Sequence, residues 1–268
     1  MNCDHVQGPG SSPIIYKNLL ILHLEGADIQ YLVALDKKTG KTIWKSERPV
    51  DLYSGLEPIG RKAYITPIII KVKGKDLLIS NGSAVCIAYD PETGDEVWRV
   101  TGGEDSTISS PIFENGIVFF YTGYITPKEG EKYCELLAVD PSGSGDVTKT
   151  HIIWRLRSPV LQLLTPLIKD GLIYTINTNN NLICLDVKTG QAIYTRRLTG
   201  KYNSSPVYAG GNIYFTSTNG ETLIIKEGKQ LEIIARNKLK GEVFATPAVT
   251  SGSLILRAGT NLYCIRNK

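Results

Sequence analysis

The chain has 268 residues, of which 42% are hydrophobic, and its 26 Gly and 13 Pro stand beside a single Met. A chain of this length buries a substantial core, and it need not divide into domains when it is built from strands. The formal charge of +4 comes from 30 basic and 26 acidic residues spread along the chain, which is typical of a solvated surface and excludes a nucleic-acid footprint.

A small hydroxyl residue followed by proline recurs six times along the chain. The successive spacings are 54, 44, 55, 40 and 41 residues, with a mean of about 47. A period of 20 to 50 residues defines a repeat architecture before any single element is considered. The six pairs are Ser12-Pro13, Thr66-Pro67, Ser110-Pro111, Thr165-Pro166, Ser205-Pro206 and Thr246-Pro247.

Each proline opens an apolar run, a tight turn and a second apolar run, as in PIFENGIVFFYTG and PLIKDGLIYTIN. The turns contain Asn115-Gly116, Asp170-Gly171 and Gly210-Gly211, which supply the positive φ that a two-residue hairpin loop requires. Proline is tolerated at the first residue of a strand, where its missing N–H removes no ladder bond. Each copy therefore predicts the start of a β-hairpin.

A second signature follows in most copies, as in LVALDKKTGKTIW, CIAYDPETGDEVW and LICLDVKTGQAIY. The Asp accepts hydrogen bonds from N–H groups of the turn, the Gly takes the left-handed conformation, and the aromatic residue eight positions after the Asp points beside the next sheet. The third copy carries the insert PSGSGDVTKTH, the fifth has Ile234 at the aromatic place, and the sixth stops before any such turn. The structural residues of this motif are Asp36, Gly40, Trp44, Asp90, Gly94, Trp98, Asp140, Trp154, Asp186, Gly190 and Tyr194.

Four short strands in every 40 to 55 residues predict an all-β fold, a β-propeller of four-stranded antiparallel blades with five and a half repeats. Parallel β-helices have shorter periods, and helical solenoids show a 3.6-residue rhythm that these runs lack.

The pattern L-x-A-x-D-x-x-T-G-x-x-x-W with an upstream S-P or T-P resembles the repeat of the pyrroloquinoline-quinone-like (PQQ-like) propellers, over residues 10 to 268. That family includes quinoprotein alcohol dehydrogenases and a periplasmic outer-membrane protein assembly factor. The resemblance implies one propeller domain at 10–268, a ring of eight blades and a periplasmic or other extracytoplasmic location.

An eight-bladed ring needs more repeats than the five and a half in this sequence. We expect that the chain is the C-terminal part of a secreted bacterial member that lacks two to three N-terminal blades and its signal peptide, with residues 1–9 as a leader or the remnant of a lost blade. The alternative is a compact six-bladed ring in which residues 1–9 lend a strand to the last sheet. Residues 1–12 contain no apolar signal core, and no run approaches the roughly 20 apolar residues that span a bilayer.

The sequence offers no catalytic constellation. Family members that bind the quinone present a vicinal disulfide over it and a Trp beneath it, whereas this chain has no adjacent cysteines and its three Trp stand in the repeat's aromatic place. The histidines His5, His23 and His151 have no partners at zinc-ligand spacing, and His23 is expected to be a satisfied, half-buried strand residue. We therefore expect no catalytic, cofactor or metal residues and no cofactor.

The cysteines are odd in number and form no C-x-x-C motif. Cys86, Cys184 and Cys264 lie in apolar strand runs, where a thiol behaves as a small hydrophobe. They are expected to be buried free thiols.

Two loops that precede innermost strands are candidates for binding, because propellers commonly form their ligand face there. Their residues are Arg61, Lys62, Tyr64, Lys201, Tyr202 and Asn203. The alternative is that both are ordinary connections between blades. The acidic stretch from Glu25 to Asp28 is interpreted as a solvated hairpin turn, with cation chelation as the alternative.

The leading hypothesis for function is a non-catalytic scaffold or ligand-binding propeller of the bacterial cell envelope. It has a protein partner, binds no nucleic acid and does not span the membrane. The alternative is a quinone- or sugar-linked oxidoreductase whose cofactor residues lie in the missing blades.

Overall fold

The computed structural model describes residues 3–4, 8, 10–103, 105–123, 134–158 and 164–266. Their contacts divide the chain into two compact units, Met1–Leu161 and Gln162–Lys268. Both units consist of small, mainly antiparallel sheets, which gives the all-β fold of propeller blades predicted from the repeat. Residues 1–2, 5–7 and 9, and with them His5 and most of the predicted leader, lie outside the described residues. In the described chain, no helix has the length and apolar character needed to span a membrane.

The first unit contains three sheets. The first sheet has the order β1-β2-β3-β4 and is followed by a short helix α1 (Val50–Ser54) and a 3₁₀ helix (Pro58–Arg61). Its strands are β1 (Ile14–Tyr16), β2 (Leu19–Glu25), β3 (Gln30–Asp36) and β4 (Thr42–Glu47). The second and third sheets use β5 (Ile68–Val72), β6 (Lys75–Asn81), β7 (Val85–Tyr89), β8 (Glu96–Thr101), β9 (Ile112–Glu114), β10 (Ile117–Tyr121), β11 (Cys134–Val139), β12 (Gly145–Asp146) and β13 (Ile152–Ser158).

The insert of the third repeat has a structural role that the sequence did not predict. Its two-residue strand β12 leaves its own repeat and pairs in parallel with Trp98 and Arg99 of β8, so the second sheet has the order β12-β8-β7-β6-β5. The third sheet has the order β13-β11-β10-β9. The insert therefore covers part of the outer edge of the preceding blade.

The second unit contains two four-stranded sheets and one three-stranded sheet. Their orders are β14-β15-β16-β17, β18-β19-β20-β21 and β22-β23-β24. The strands are β14 (Leu167–Lys169), β15 (Leu172–Ile176), β16 (Asn181–Asp186), β17 (Ala192–Arg197), β18 (Val207–Ala209), β19 (Asn212–Thr216), β20 (Glu221–Lys226), β21 (Glu232–Lys238), β22 (Ala248–Thr250), β23 (Ser253–Ala258) and β24 (Asn261–Arg266). Six sheets in the described residues agree with five and a half repeats, and the eight-bladed ring stays a prediction.

The turns have the geometry that their residues favour. Asn115 and Gly116 have φ of 51° and 81°, and Asp170 and Gly171 have φ of 48° and 77°, as a type I′ hairpin loop requires. In the second signature, Asp36 Oδ1 accepts hydrogen bonds from the backbone N–H groups of Lys38 and Thr39, at 3.0 and 2.7 Å.

In each of the first five sheets, a β-bulge precedes the aromatic place of the strand that carries it. The pairing of β3 with β4, for example, shifts between Ala34 and Leu35, so that Ile43 has no cross-strand partner. Bulges increase the local twist and blunt an exposed edge. The unpaired residues are Ile43, Val97, Ile153, Ile193 and Ile234. The assignment of Ile234 to the aromatic place of the fifth repeat is therefore wrong, because Ala235 pairs with Ile224 at that place.

The hydroxyl of the repeated Ser/Thr-Pro pair links neighbouring blades. The Ser12 N–H donates to Thr66 Oγ1 at 3.0 Å, and the Thr66 N–H donates to Ser110 Oγ at 2.9 Å. The second unit repeats the pattern, because the Thr165 N–H donates to Ser205 Oγ and the Ser205 N–H to Thr246 Oγ1. In each pair, the hydroxyl of the later repeat accepts the backbone N–H of the corresponding residue in the preceding repeat, and so satisfies a polar group of the preceding blade.

The tryptophans join adjacent blades at the outer side. Trp44 Nε1 donates to the Pro91 carbonyl at 3.1 Å, and Trp98 Nε1 donates to the Pro141 carbonyl at 3.0 Å. Both indoles are buried in apolar clusters between successive sheets of the first unit. Each Trp thus packs on the Asp-Pro turn of the following repeat.

The prediction that Cys264 is buried is wrong. Cys86 and Cys184 are buried free thiols as expected, but Cys264 is exposed. It lies on β24, the last strand of a sheet with three described strands, and its neighbour Leu262 is 74% exposed. Leu182, at the corresponding place of the fourth repeat, is fully buried because β17 pairs beyond it.

Candidate binding surface

A buried ionic cluster anchors the longest loop of the first unit. Glu25, at the end of β2, lies 2.9 Å from Arg48 Nε, and both side chains are inaccessible to solvent. The other carboxylate oxygen accepts hydrogen bonds from the Tyr53 hydroxyl and the Ser83 N–H, each at 2.8 Å. Because Tyr53 belongs to α1, the carboxylate fixes this helix to the strands beneath it.

Arg48 and His23 complete the cluster. The Arg48 guanidinium also donates to the Val85 carbonyl at 3.0 Å and to Ser80 Oγ at 2.7 Å. His23 Nδ1 lies 2.8 Å from Ser80 Oγ, and its Nε2 lies 3.3 Å from Glu25 Oε2. A buried charge pair is tolerated when further hydrogen bonds satisfy it, as they do here.

The cluster sets the ionisation of its members. Burial by itself raises the pKa of the Glu25 carboxyl, but Arg48, His23 and the Ser83 N–H outweigh burial and hold that pKa below its usual value. Burial and the adjacent Glu25 carboxylate raise the pKa of the Tyr53 hydroxyl well above its usual value. The groups are therefore locked as a carboxylate and a neutral phenol, which suits a structural anchor.

Glycine at position 82 is required by this packing. A Cβ there would lie 2.6 Å from Glu25 Oε2 and 2.8 Å from the Tyr53 hydroxyl. No side chain fits without displacing the carboxylate.

The anchored loop pairs with the next blade-connecting loop. Ala63 forms a parallel bridge with Thr107, and the Tyr64 N–H donates to the Thr107 carbonyl at 2.9 Å. Ser106 Oγ donates to the Ile59 carbonyl at 3.0 Å. Residues 49–65 and 105–110 therefore form one continuous surface, which we call the loop surface.

The loop surface exposes apolar side chains on a rigid support. Val50 is 72%, Ile59 47% and Ile108 37% exposed. Loops that a scaffold holds in place commonly carry binding residues, and exposed apolar side chains on them offer contacts to a partner. These three were not among the candidates taken from the sequence.

The structure distributes the predicted binding residues between surface and interior. Arg61 is half-buried with its Nε donating to the Leu56 carbonyl at 2.8 Å, and Tyr64 is half-buried, whereas the Lys62 side chain is buried. In the second unit, Lys201 and Asn203 are exposed, while Tyr202 is buried in the apolar cluster of its unit. A binding role for these six residues stays a proposal.

Glu25 corrects the interpretation of the acidic stretch as a solvated turn. Its side chain is fully buried and ion-paired, and His23 is buried too, not half-buried. The signal was present in the strand LILHLE, because Ile21, His23 and Glu25 share one face and two of the three are polar. Polar residues at the core-facing positions of a strand indicate a buried polar cluster.

The described residues do not fit a quinone site of the kind that the family resemblance implies. Trp44 and Trp98 are buried with their indole nitrogens bonded, and Trp154 packs on Phe119 at 5.9 Å between ring centroids. The described part of the chain contains no group of three His, Cys, Asp or Glu side chains that could hold a metal ion. The indoles of Trp44 and Trp98 are therefore not accessible to a planar cofactor.

Comparison with known proteins places the chain in one family. A family model described as "Outer membrane protein assembly factor BamB" matches residues 28–158 and 145–232. The assembly factor BamB of Yersinia pestis is 23% identical over 86% of this chain and 68% of its own length. BamB of Shewanella oneidensis is 20% identical over 86% of this chain, which spans about half of that relative, 54%.

Solved structures give the same fold. BamB from Moraxella catarrhalis matches with a TM-score of 0.65 and 16% identity, over 93% of this chain and 70% of that one. The quinohemoprotein alcohol dehydrogenase from Comamonas testosteroni matches with a TM-score of 0.62 and 15% identity, over 87% of this chain and 43% of that one. These likenesses show a PQQ-like propeller fold. Because the family model covers well over half of the sequence, the chain belongs to the family of the outer membrane protein assembly factor BamB.

Proposed function

We propose that this chain is a non-catalytic, protein-binding scaffold of the bacterial cell envelope that acts in outer membrane protein assembly. The observation that carries the proposal is the loop surface, which exposes three apolar side chains on loops anchored by a buried ionic cluster, on a member of the BamB family. Rigid loops lower the entropy lost on binding, so such a surface is suited to hold another polypeptide. The periplasm is the compartment that this role requires.

Site-specific photocrosslinking tests the proposal. A photoreactive residue placed at Ile59 is expected to crosslink a component of the outer membrane assembly machinery in envelope extracts. The same residue placed at Lys41 is the matched control, because Lys41 is exposed in the β3–β4 turn, at the opposite end of β4 from Glu47 and the loop that follows it. Equal products from both positions, or none from Ile59, would contradict the proposal.

The alternative, a quinone-dependent oxidoreductase, draws on the likeness to quinohemoprotein alcohol dehydrogenases. The buried, bonded tryptophans favour the scaffold over this alternative. Titration of the purified chain with pyrroloquinoline quinone and Ca²⁺ is expected to leave the quinone absorption spectrum unchanged. A saturable shift of that spectrum would support the oxidoreductase alternative over the scaffold.

A further inference from the structure

The two units carry opposite charge. Residues 162–268 contain 13 Lys and Arg against 6 Asp and Glu, a formal charge of +7, whereas residues 1–161 contain 17 against 20, a formal charge of −3. The charge interpreted as evenly spread along the sequence is therefore unequally divided between the two units. A local excess of this size attracts anionic partners.

The strands that carry the tryptophans in the first unit, β4, β8 and β13, neutralise their cations. Every Lys or Arg on β4, β8 and β13 has a carboxylate within ion-pair distance. The pairs are Lys45–Glu47, Arg99–Glu96, Arg155–Glu135 and Arg157–Glu135. These three strands show how a blade of this protein looks when its positive charges are paired, and the second unit can be compared with them.

The outermost strands of the second unit do not. On β17, β21 and the loops that follow them, Arg236 pairs with Glu221 at 2.7 Å. Five other cations are exposed, and none of the five forms an ion pair with a carboxylate in the part of the chain that the structure describes. We call them the basic patch: Arg196, Arg197, Lys201, Lys238 and Lys240.

Backbone contacts gather the basic patch around one turn, residues 217–220. The Thr218 N–H donates to the Lys201 carbonyl at 2.7 Å, and the Leu239 N–H, between Lys238 and Lys240, donates to the Gly220 carbonyl at 3.0 Å. Gly220 has φ +83°, and a Cβ there would lie 2.4 Å from the Leu239 carbonyl oxygen. The turn thus holds the ends of two neighbouring blades, and their cations, close to each other.

The geometry points to an acidic, extended segment of a partner polypeptide as the ligand of the basic patch. After their bulges, β17 pairs regularly with β16 through Tyr194–Arg197, and β21 pairs regularly with β20 through Ala235–Lys238. No strand of the described chain pairs with the other edge of β17 or of β21. An added strand would bond to these edges while its carboxylates meet the cations. Exposed Ile193 and Ile233 lie on the same strands and offer apolar contacts. This inference rests on the proposed scaffold function and specifies the chemistry of one partner segment.

Binding of a labelled peptide tests the inference. The probe is an extended peptide of about ten residues that alternates Glu and Thr, long enough to follow one strand, and the control probe alternates Gln and Thr. Fluorescence anisotropy with the full chain is expected to give saturable binding of the Glu peptide alone, weakening as salt rises from about 50 to about 150 mM.

Charge-reversed variants locate the site. Lys201→Glu/Lys240→Glu is expected to weaken binding about fivefold or more, as the loss of two exposed ion pairs implies. Lys188→Glu/Lys229→Glu makes the same change in net charge at exposed positions of the same unit, outside the basic patch, and is expected to bind as the wild type does. Carbodiimide coupling of the Glu peptide to the wild-type chain should modify Lys201 or Lys240, which tests the site without any substitution.

Three results would overturn the inference. They are absence of binding, equal weakening in both variants, and binding to vesicles rich in phosphatidylglycerol in place of the Glu peptide. The crosslinks expected from Ile59 do not depend on the basic patch, so a failure here leaves the proposed function standing.

Discussion

Gly94 of the second repeat lies directly against the indole of Trp44 in the first. A Cβ at Gly94 would come within 2.6 Å of Trp44 Cε3 and of Ser46 Oγ, and Gly94 has φ +77°. The glycine of the Asp-x-x-Thr-Gly turn therefore has a second role besides closing the turn. It allows the preceding blade's Trp to pack on it.

Gly94→Ala is expected to destabilise the protein more than Gly40→Ala. Both residues have positive φ, at +77° and +71°, so both variants lose about 1–2 kcal/mol to the left-handed backbone. Only Gly94 adds a clash, because nothing lies within 4 Å of a Cβ at Gly40. Urea denaturation measures both, and equal losses would contradict the packing role of Gly94.

Glu25→Gln is expected to lower the free energy of unfolding by about 3–5 kcal/mol, since it leaves the buried Arg48 without its counter-charge. The pKa of Glu25 is lower in the folded than in the unfolded protein, so its contribution is complete above the unfolded value near 4.5 and is lost as the pH falls below it. The difference between wild type and variant should therefore shrink in acid. Denaturation at a series of pH values measures it, and a difference that stays constant through the acid range would contradict the ionic anchor.

Ser110→Ala is expected to cost about 1–2 kcal/mol, because the part-buried Thr66 N–H loses its acceptor. Ser11→Ala, one residue before the first Ser-Pro pair, is the control and should leave stability unchanged. If the two variants melt alike, the hydroxyl of the repeat does not link the blades.

Cys264 is expected to react with a thiol reagent in the native state, whereas Cys86 is not. Cys264 is exposed, while burial raises the pKa of Cys86 to about 12. Mass spectrometry after brief alkylation at neutral pH identifies the labelled positions. Protection of Cys264 would indicate that β24 is covered in solution.

The repeat made the fold predictable, because the Ser/Thr-Pro pairs and the Asp-x-x-Thr-Gly turns encode local geometry that the sequence states directly. Contacts between repeats were harder to predict. The pairing of β12 with β8 joins segments about 47 residues apart, and the Glu25–Arg48 pair depends on how strand β2 faces the following loop. Exposure of Cys264 depends on which strand lies beyond β24, which the local run NLYCIR does not encode.

The loop surface was predicted in part. Arg61 and Tyr64 were identified from their place before an innermost strand, but the exposed Val50, Ile59 and Ile108 were not, since exposed and buried isoleucines look alike in a sequence. Of the basic patch, Lys201 was among the sequence candidates, but the other four cations were not, because charge was counted along the whole chain. Which cations lack a carboxylate partner depends on the fold.

Co-purification with surface variants tests the scaffold role most directly. The tagged chain is expected to retain a component of the outer membrane assembly machinery from envelope extracts, and Ile59→Asp/Ile108→Asp is expected to lose it. Ile43→Asp, which changes a more exposed isoleucine on the bulge of β4, should retain it. Retention of the component by the Ile59→Asp/Ile108→Asp variant, or its absence from the wild-type chain, would contradict a protein-binding loop surface.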